Sequence, residues 1–74
     1  MEKLLEAMEG QLVTITVGRF VLQMNVRMIN YDDEEVEIVD GDNASFTFPR
    51  KCVLQYQEGV YHLIAGEEEF ILEL

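Results

Sequence analysis

Fifteen carboxylates, one histidine, one cysteine and five basic side chains are the groups in this chain that could do chemistry. The acids cluster as Asp32-Asp33-Glu34-Glu35, Asp40-Gly41-Asp42-Asn43 and Glu67-Glu68-Glu69. Hard divalent cations want oxygen ligands of this type. The second cluster nevertheless departs from the Asp-x-Asp-x-Asp-Gly calcium loop, because its glycine falls too early, and a solvated acidic surface accounts for all three. His62 has no second histidine and Cys52 no second thiol, which excludes an internal disulfide and a cysteine-based zinc site and leaves no Cys-His nucleophile in view. Catalytic acid and base roles need carboxylates in unlike environments, and runs of solvated acids do not supply them. The reading is therefore no catalytic residue, no metal and no cofactor. Arg50-Lys51 is the one adjacent basic pair. It is suited either to a phosphate contact or to neutralising nearby carboxylates, including those across a subunit boundary. Tyr31 is an aromatic at a strand end, which stacks on a nucleic-acid base or simply packs in a core or an interface.

The elements that must position these groups follow from hydropathy patterning. Residues 1–10 place Leu4, Leu5 and Met8 on one side of a short helix, with Gly10 where a helix stops. So short a helix does not persist alone, and its apolar side is expected to lie across the open end of a barrel. From Gln11 onward the period is two. Val13, Ile15 and Val17 alternate with threonines, and Gly18-Arg19 connects to a long segment in which Phe20, Leu22, Met24, Val26 and Met28 share a face. Ile29 and Tyr31 continue the apolar series out of phase, which predicts a bulge or bend near Met28 to Asn30. Further short strands follow around Val36–Ile38, Ser45–Phe48, Cys52–Gln57, Val60–Ala65 and Glu69–Leu74, each bounded by turn residues. Pro49 marks a strand end, an edge or a corner, because it cannot donate to a ladder.

Composition sets the outer bounds. Seventy-four residues make one domain, and a chain of that size buries roughly 60% of the surface it exposes when unfolded. Disulfide and metal staples are absent, and 49% of the residues are hydrophobic, so the remaining route to stability is subunit contact. A formal net charge of −10 repels phosphate backbones and disfavours unspecific duplex binding. Single-stranded nucleic acid in a local basic groove would have to work against that field. No stretch is long and apolar enough to span a membrane, and Glu2, Lys3 and Glu6 interrupt any secretory leader. The expected location is the cytoplasm.

Taken together, the short helix, the strand Gly10-Gln11-Leu12-Val13-Thr14-Ile15-Thr16-Val17 and the long bent strand into Tyr31-Asp32 resemble the opening of an Sm-like (Lsm/Hfq-type) domain. Met28-Ile29-Asn30-Tyr31-Asp32 with the returning Val36-Glu37-Ile38 is similar to that family's first motif. Phe46-Thr47-Phe48-Pro49-Arg50-Lys51-Cys52-Val53-Leu54 is similar to its second. The resemblance covers roughly residues 4 to 56. It implies an all-β fold with one short N-terminal helix, a small, strongly bent open barrel of five strands over residues 11–57. Residues 58–74 would then be an added hairpin. It also implies a ring in which the fourth strand of one subunit pairs with the fifth of the next, here about five to seven copies, and a single-stranded RNA site at Tyr31, Asp32, Arg50 and Lys51. Two departures bear on that site. Asp33-Glu34-Glu35 stands where the family carries an asparagine after the aspartate, and Lys51 replaces the glycine of the basic corner. The expected function is a ring-forming binding or scaffold protein, with RNA as a candidate ligand. The alternative is an acidic interaction protein that binds a basic partner or mimics nucleic acid.

Overall fold

The computed structural model describes residues 1–74 as one helix followed by seven strands. They are α1 (Glu2–Met8), β1 (Leu12–Val17), β2 (Phe20–Tyr31), β3 (Glu35–Asp40), β4 (Ser45–Pro49), β5 (Val53–Gln57), β6 (Val60–Ala65) and β7 (Glu68–Glu73). The strands form one sheet in the order β4-β3-β2-β1-β7-β6-β5. Every neighbouring pair is antiparallel. The sheet does not close on itself, so the molecule is an all-β open barrel with a single helix.

Alternation decides which side of each strand is buried. Val13 and Ile15 of β1, Met24 and Val26 of β2, Val36 and Ile38 of β3, Phe48 of β4, Leu63 of β6, and Phe70 and Leu72 of β7 meet in one core. Leu4, Leu5 and Met8 of α1 complete it, so the helix covers the barrel with its apolar side as its spacing predicts. Phe46 and Phe48 of β4 lie with their ring centroids 6.0 and 6.1 Å from that of Phe70 in β7. Strands far apart in the sheet order therefore face one another across the core, and the sheet must be sharply bent.

The bend lies in β2. Its first half pairs with β1, from Phe20 opposite Val17 to Asn25 opposite Leu12, and its second half pairs with β3. The register shifts between Val26 and Met28. This is one residue earlier than the sequence pattern suggests. Val26 is held on the β1 side, donating its N–H to the Gln11 carbonyl and accepting from the Gly10 N–H (2.9 and 2.8 Å). The break can come only after it. Ile29 then opposes buried Ile38, and Met28, expected on the inner face, turns outward opposite Val39.

Residues 58–74 are not an addition to a five-stranded unit over 11–57. β7 is a central strand between β1 and β6, and β5 reaches the sheet only through β6. The cause is visible in the register: Phe70 opposes Val17 and Leu72 opposes Ile15, extending the inner apolar row of β1. β5 offers less to bury, since Tyr56 is 61% exposed even here. The β5–β6 turn is tight, with Glu58 and Gly59 both at positive φ (52° and 83°), the conformation of a two-residue hairpin that matches strand twist.

Two edges remain unpaired, β4 and β5. On β4, the Arg50 N–H bonds the Glu34 carbonyl and the Asp40 N–H bonds the Ala44 carbonyl. Hydrogen-bonded pairs alternate along an antiparallel ladder, so Phe46 and Phe48 direct their backbone groups at β3. Ser45, Thr47 and Pro49 direct theirs off the sheet. Pro49 thus stands where its missing N–H costs nothing. By the same alternation from the Gln57/Val60 pair that closes the β5–β6 hairpin, Leu54 and Tyr56 present the free backbone groups of β5.

Candidate functional site

Tyr31 ends β2, Asp32 opens the turn into β3, and Arg50 begins the corner after β4. The β3–β4 pairing brings that corner back beside the turn, because Glu35 opposes Pro49. One Asp32 carboxylate oxygen accepts the N–H groups of Glu34 and Glu35, each at 2.8 Å, while the Asp32 N–H donates to the Glu35 carbonyl at 3.0 Å. Aspartate favours this position because its short side chain satisfies the amides of the turn it starts. The two backbone donors, Glu35 before Glu34, hold the Asp32 carboxyl below its ordinary value, and the nearby Arg50 charge acts in the same direction.

Arg50 is engaged from both ends. Its backbone N–H donates to the Glu34 carbonyl, its Nη1 donates to the Asp32 carbonyl at 2.9 Å, and its guanidinium carbon lies 4.7 Å from the centroid of the Tyr31 ring. That is cation–π distance. Three of the four residues expected at a site therefore come together, as a clasp joining the β2–β3 turn to the β4–β5 corner. Lys51 remains exposed, with no hydrogen bond or ion pair to its side chain. A recess of about 260 Å³ beside Tyr31 is floored by Leu5 and Ile29 and rimmed by Glu2, Glu6 and Glu9. A second, of about 300 Å³, adds Asp32, Glu35 and Glu37 around the same ring. A phosphate approaching Tyr31 meets carboxylates on two sides. The chain matches no family model, no curated protein and no solved structure.

The other candidate groups are spread over the molecule. Asp40 spends one carboxylate oxygen on the N–H groups of Asp42 and Ala44 (2.9 and 3.0 Å), so this acidic stretch closes a turn. Arg27, at the bulge, donates to the Asn43 Oδ1 at 2.8 Å and ties that turn to β2. No group of three or more His, Cys, Asp or Glu side chains converges as a cation cage would require. Cys52 is partly buried, and burial pushes its thiol above the ordinary value, away from the thiolate that a nucleophile needs.

Sequence reasoning missed one pair. His62 on β6 and Glu69 on β7 place Nδ1 and Oε2 3.0 Å apart on the outer face. Once Gly66-Glu67 is taken as a two-residue turn, residues 62 and 69 become diagonal neighbours, and that was the available signal. A carboxylate can orient an imidazole, but no hydroxyl or thiol contacts the other ring nitrogen, so no nucleophile is activated. No helix is long and apolar enough to cross a membrane.

Proposed function

We propose that this chain is a non-enzymatic, cytoplasmic, ring-forming scaffold of Sm-like architecture, whose copies join edge to edge through β4 and β5. The observation that carries the reading is the pair of unpaired edge strands at opposite ends of one bent sheet. Natural proteins cover such edges, because their free N–H and C=O groups template further pairing. Each edge meets the other's needs. Thr47 and Ser45 offer donors and acceptors on β4, and Leu54 and Tyr56 offer them on β5. A closed ring of about five to seven copies leaves no free edge. Exposed Val53 and Tyr56 on β5 supply apolar surface for such a contact.

Within that reading, the Tyr31–Arg50 clasp is a structural tie rather than an RNA platform. Arg50 is already bound to a carbonyl and to Tyr31, and the surrounding recesses are acidic. The same acidity favours the second reading, a protein that engages basic partners. Native mass spectrometry tests the first reading: a monomer at micromolar concentration overturns it. Filter binding with short U-rich and A-rich RNA at low salt tests the role of Tyr31, Asp32, Arg50 and Lys51. The expected result is no retention, and retention that falls with salt restores the RNA site.

A further inference from the structure

The largest exposed apolar side chain, Phe20, is 78% exposed at the β1–β2 hairpin tip, and Val21 beside it is 65% exposed. Neither joins the core, and neither lies on β4 or β5. Arg19, between Gly18 and Phe20, is also without a carboxylate partner, since the one side-chain ion pair in the molecule is His62 with Glu69. No lysine or arginine in the molecule is paired with a carboxylate, and Arg19 is the one that flanks exposed Phe20 and Val21, so the hairpin tip joins a free positive charge to uncovered apolar surface.

Its complement lies next to it. Val17 opposes Phe20 on one side and Phe70 on the other, so the β1–β2 tip and the β6–β7 turn project from the same end of the sheet. Between them runs a recess of about 410 Å³ lined by Thr16, Val17, Gly18 and Ile71, with Glu67, Glu68 and Glu69 along the rim; Ile71 and Thr16 share its outer face, since they oppose each other in the β1–β7 register. One copy therefore presents a basic and aromatic tip beside a recess with Ile71 in its floor and an acidic rim. A patch that carries both halves of a complementary pair closes with itself under a two-fold axis. We propose that this end of the barrel is an isologous docking surface for a second copy of the chain. Phe20 of each copy packs on the Thr16–Ile71 recess of the other, and Arg19 of each faces the other's Glu67 and Glu68. The contact is separate from the β4 and β5 edges. If n copies join through those edges, the assembly contains 2n subunits held together by n identical two-fold contacts, so a weak interface gains by avidity.

Native mass spectrometry of the full chain and its variants decides the matter, with circular dichroism confirming that each variant keeps its strands. Phe20→Ser and Arg19→Glu are both expected to halve the subunit number. The charge exchange Arg19→Glu with Glu67→Arg and Glu68→Arg is expected to restore it. An unchanged subunit number in Phe20→Ser, or a failed restoration by the exchange, overturns the proposal. Thr47→Pro reports on the edge contact instead. If it leaves a wild-type dimer intact, the edge reading fails while the two-fold contact stands. If Thr47→Pro lowers the subunit number and Phe20→Ser does not, the two-fold contact fails while the edge reading stands.

Discussion

Thr47→Pro separates folding of the subunit from its assembly, because the backbone N–H of residue 47 points away from β3. The hydrogen-bonded partners flanking this stretch are Glu34 with Arg50 and Asp40 with Ala44, which places residues 46 and 48 in the ladder and 47 outside it. Proline at 47 therefore removes no bond within the subunit, just as Pro49 removes none two residues on. Between subunits it removes a donor and leaves a carbonyl of the neighbouring β5 unsatisfied, a cost of about 1–3 kcal/mol at each interface. At about 1.4 kcal/mol per tenfold, that weakens each contact by roughly 5- to 150-fold. The comparison is Glu37→Pro, on the half-exposed side of β3, where the N–H is paired with Asn30 inside the sheet. The same 1–3 kcal/mol then falls on the fold. Its melting temperature drops by about 5–20 °C, at 4–8 °C per kcal/mol for a domain of this size. Native mass spectrometry and thermal melting followed by circular dichroism read the two effects separately. The expected outcome is Thr47→Pro folded with a reduced subunit number and Glu37→Pro destabilised. If Thr47→Pro melts as early as Glu37→Pro, the ladder alternation is misplaced. If it melts normally with its mass unchanged, β4 is not an assembly edge.

Three further outcomes follow from the structure. Phe48 is 1% exposed and packs against Phe46 and Phe70. Phe48→Ala is expected to lose about 3–5 kcal/mol, a large share of the total for a chain of this length at ~0.05–0.15 kcal/mol per residue, and urea titration will show a population unfolded without denaturant at 37 °C. The folded-state pKa of Asp32 is depressed by its two backbone donors, so its stabilising contribution is complete above the ordinary aspartate value and fades as pH falls through the lower folded value. Acid titration of the melting temperature should flatten in that range in Asp32→Asn, and an identical profile would show that the turn bonds carry no linkage. The Cys52 thiol is raised by burial, so iodoacetamide at pH 8 is expected to modify it more slowly in the native protein than in urea, and equal rates would contradict the burial.

Local patterning was enough to read the helix, the seven strands and most of the turns. Alternation at Val13, Ile15 and Val17 names a face without a neighbour, however, and the two inner rows able to lie beside it came from Leu54/Tyr56 and from Phe70/Leu72. Only the fold decides between them. It chooses Phe70 and Leu72, which bury to 5% and 0% exposure. The slip in β2 was legible as a change of phase, but its exact place was not, because it depends on Gly10 and Gln11 gripping Val26. At the clasp, Arg50 and Tyr31 were named separately from their types. Their contact over nineteen residues rests on the β3–β4 register, and that same contact turns a candidate ligand-binding cation into one already bound.

The central position of β7 has a consequence for synthesis on the ribosome. The hairpins β1–β2, β2–β3 and β3–β4 can form as soon as each emerges, since their partners are adjacent in the chain. The seam between β1 and β7 joins residues 14–17 to 70–73 and cannot begin until nearly sixty residues later. Until then β1 shows an open edge to its surroundings, and β5 is attached to nothing but its own hairpin. Loop closure over such a distance is slow relative to hairpin formation. During that interval a polysome holds many nascent chains with the same open β1 edge. The fifteen carboxylates, whatever they do in the finished molecule, would keep those neighbours apart by repulsion.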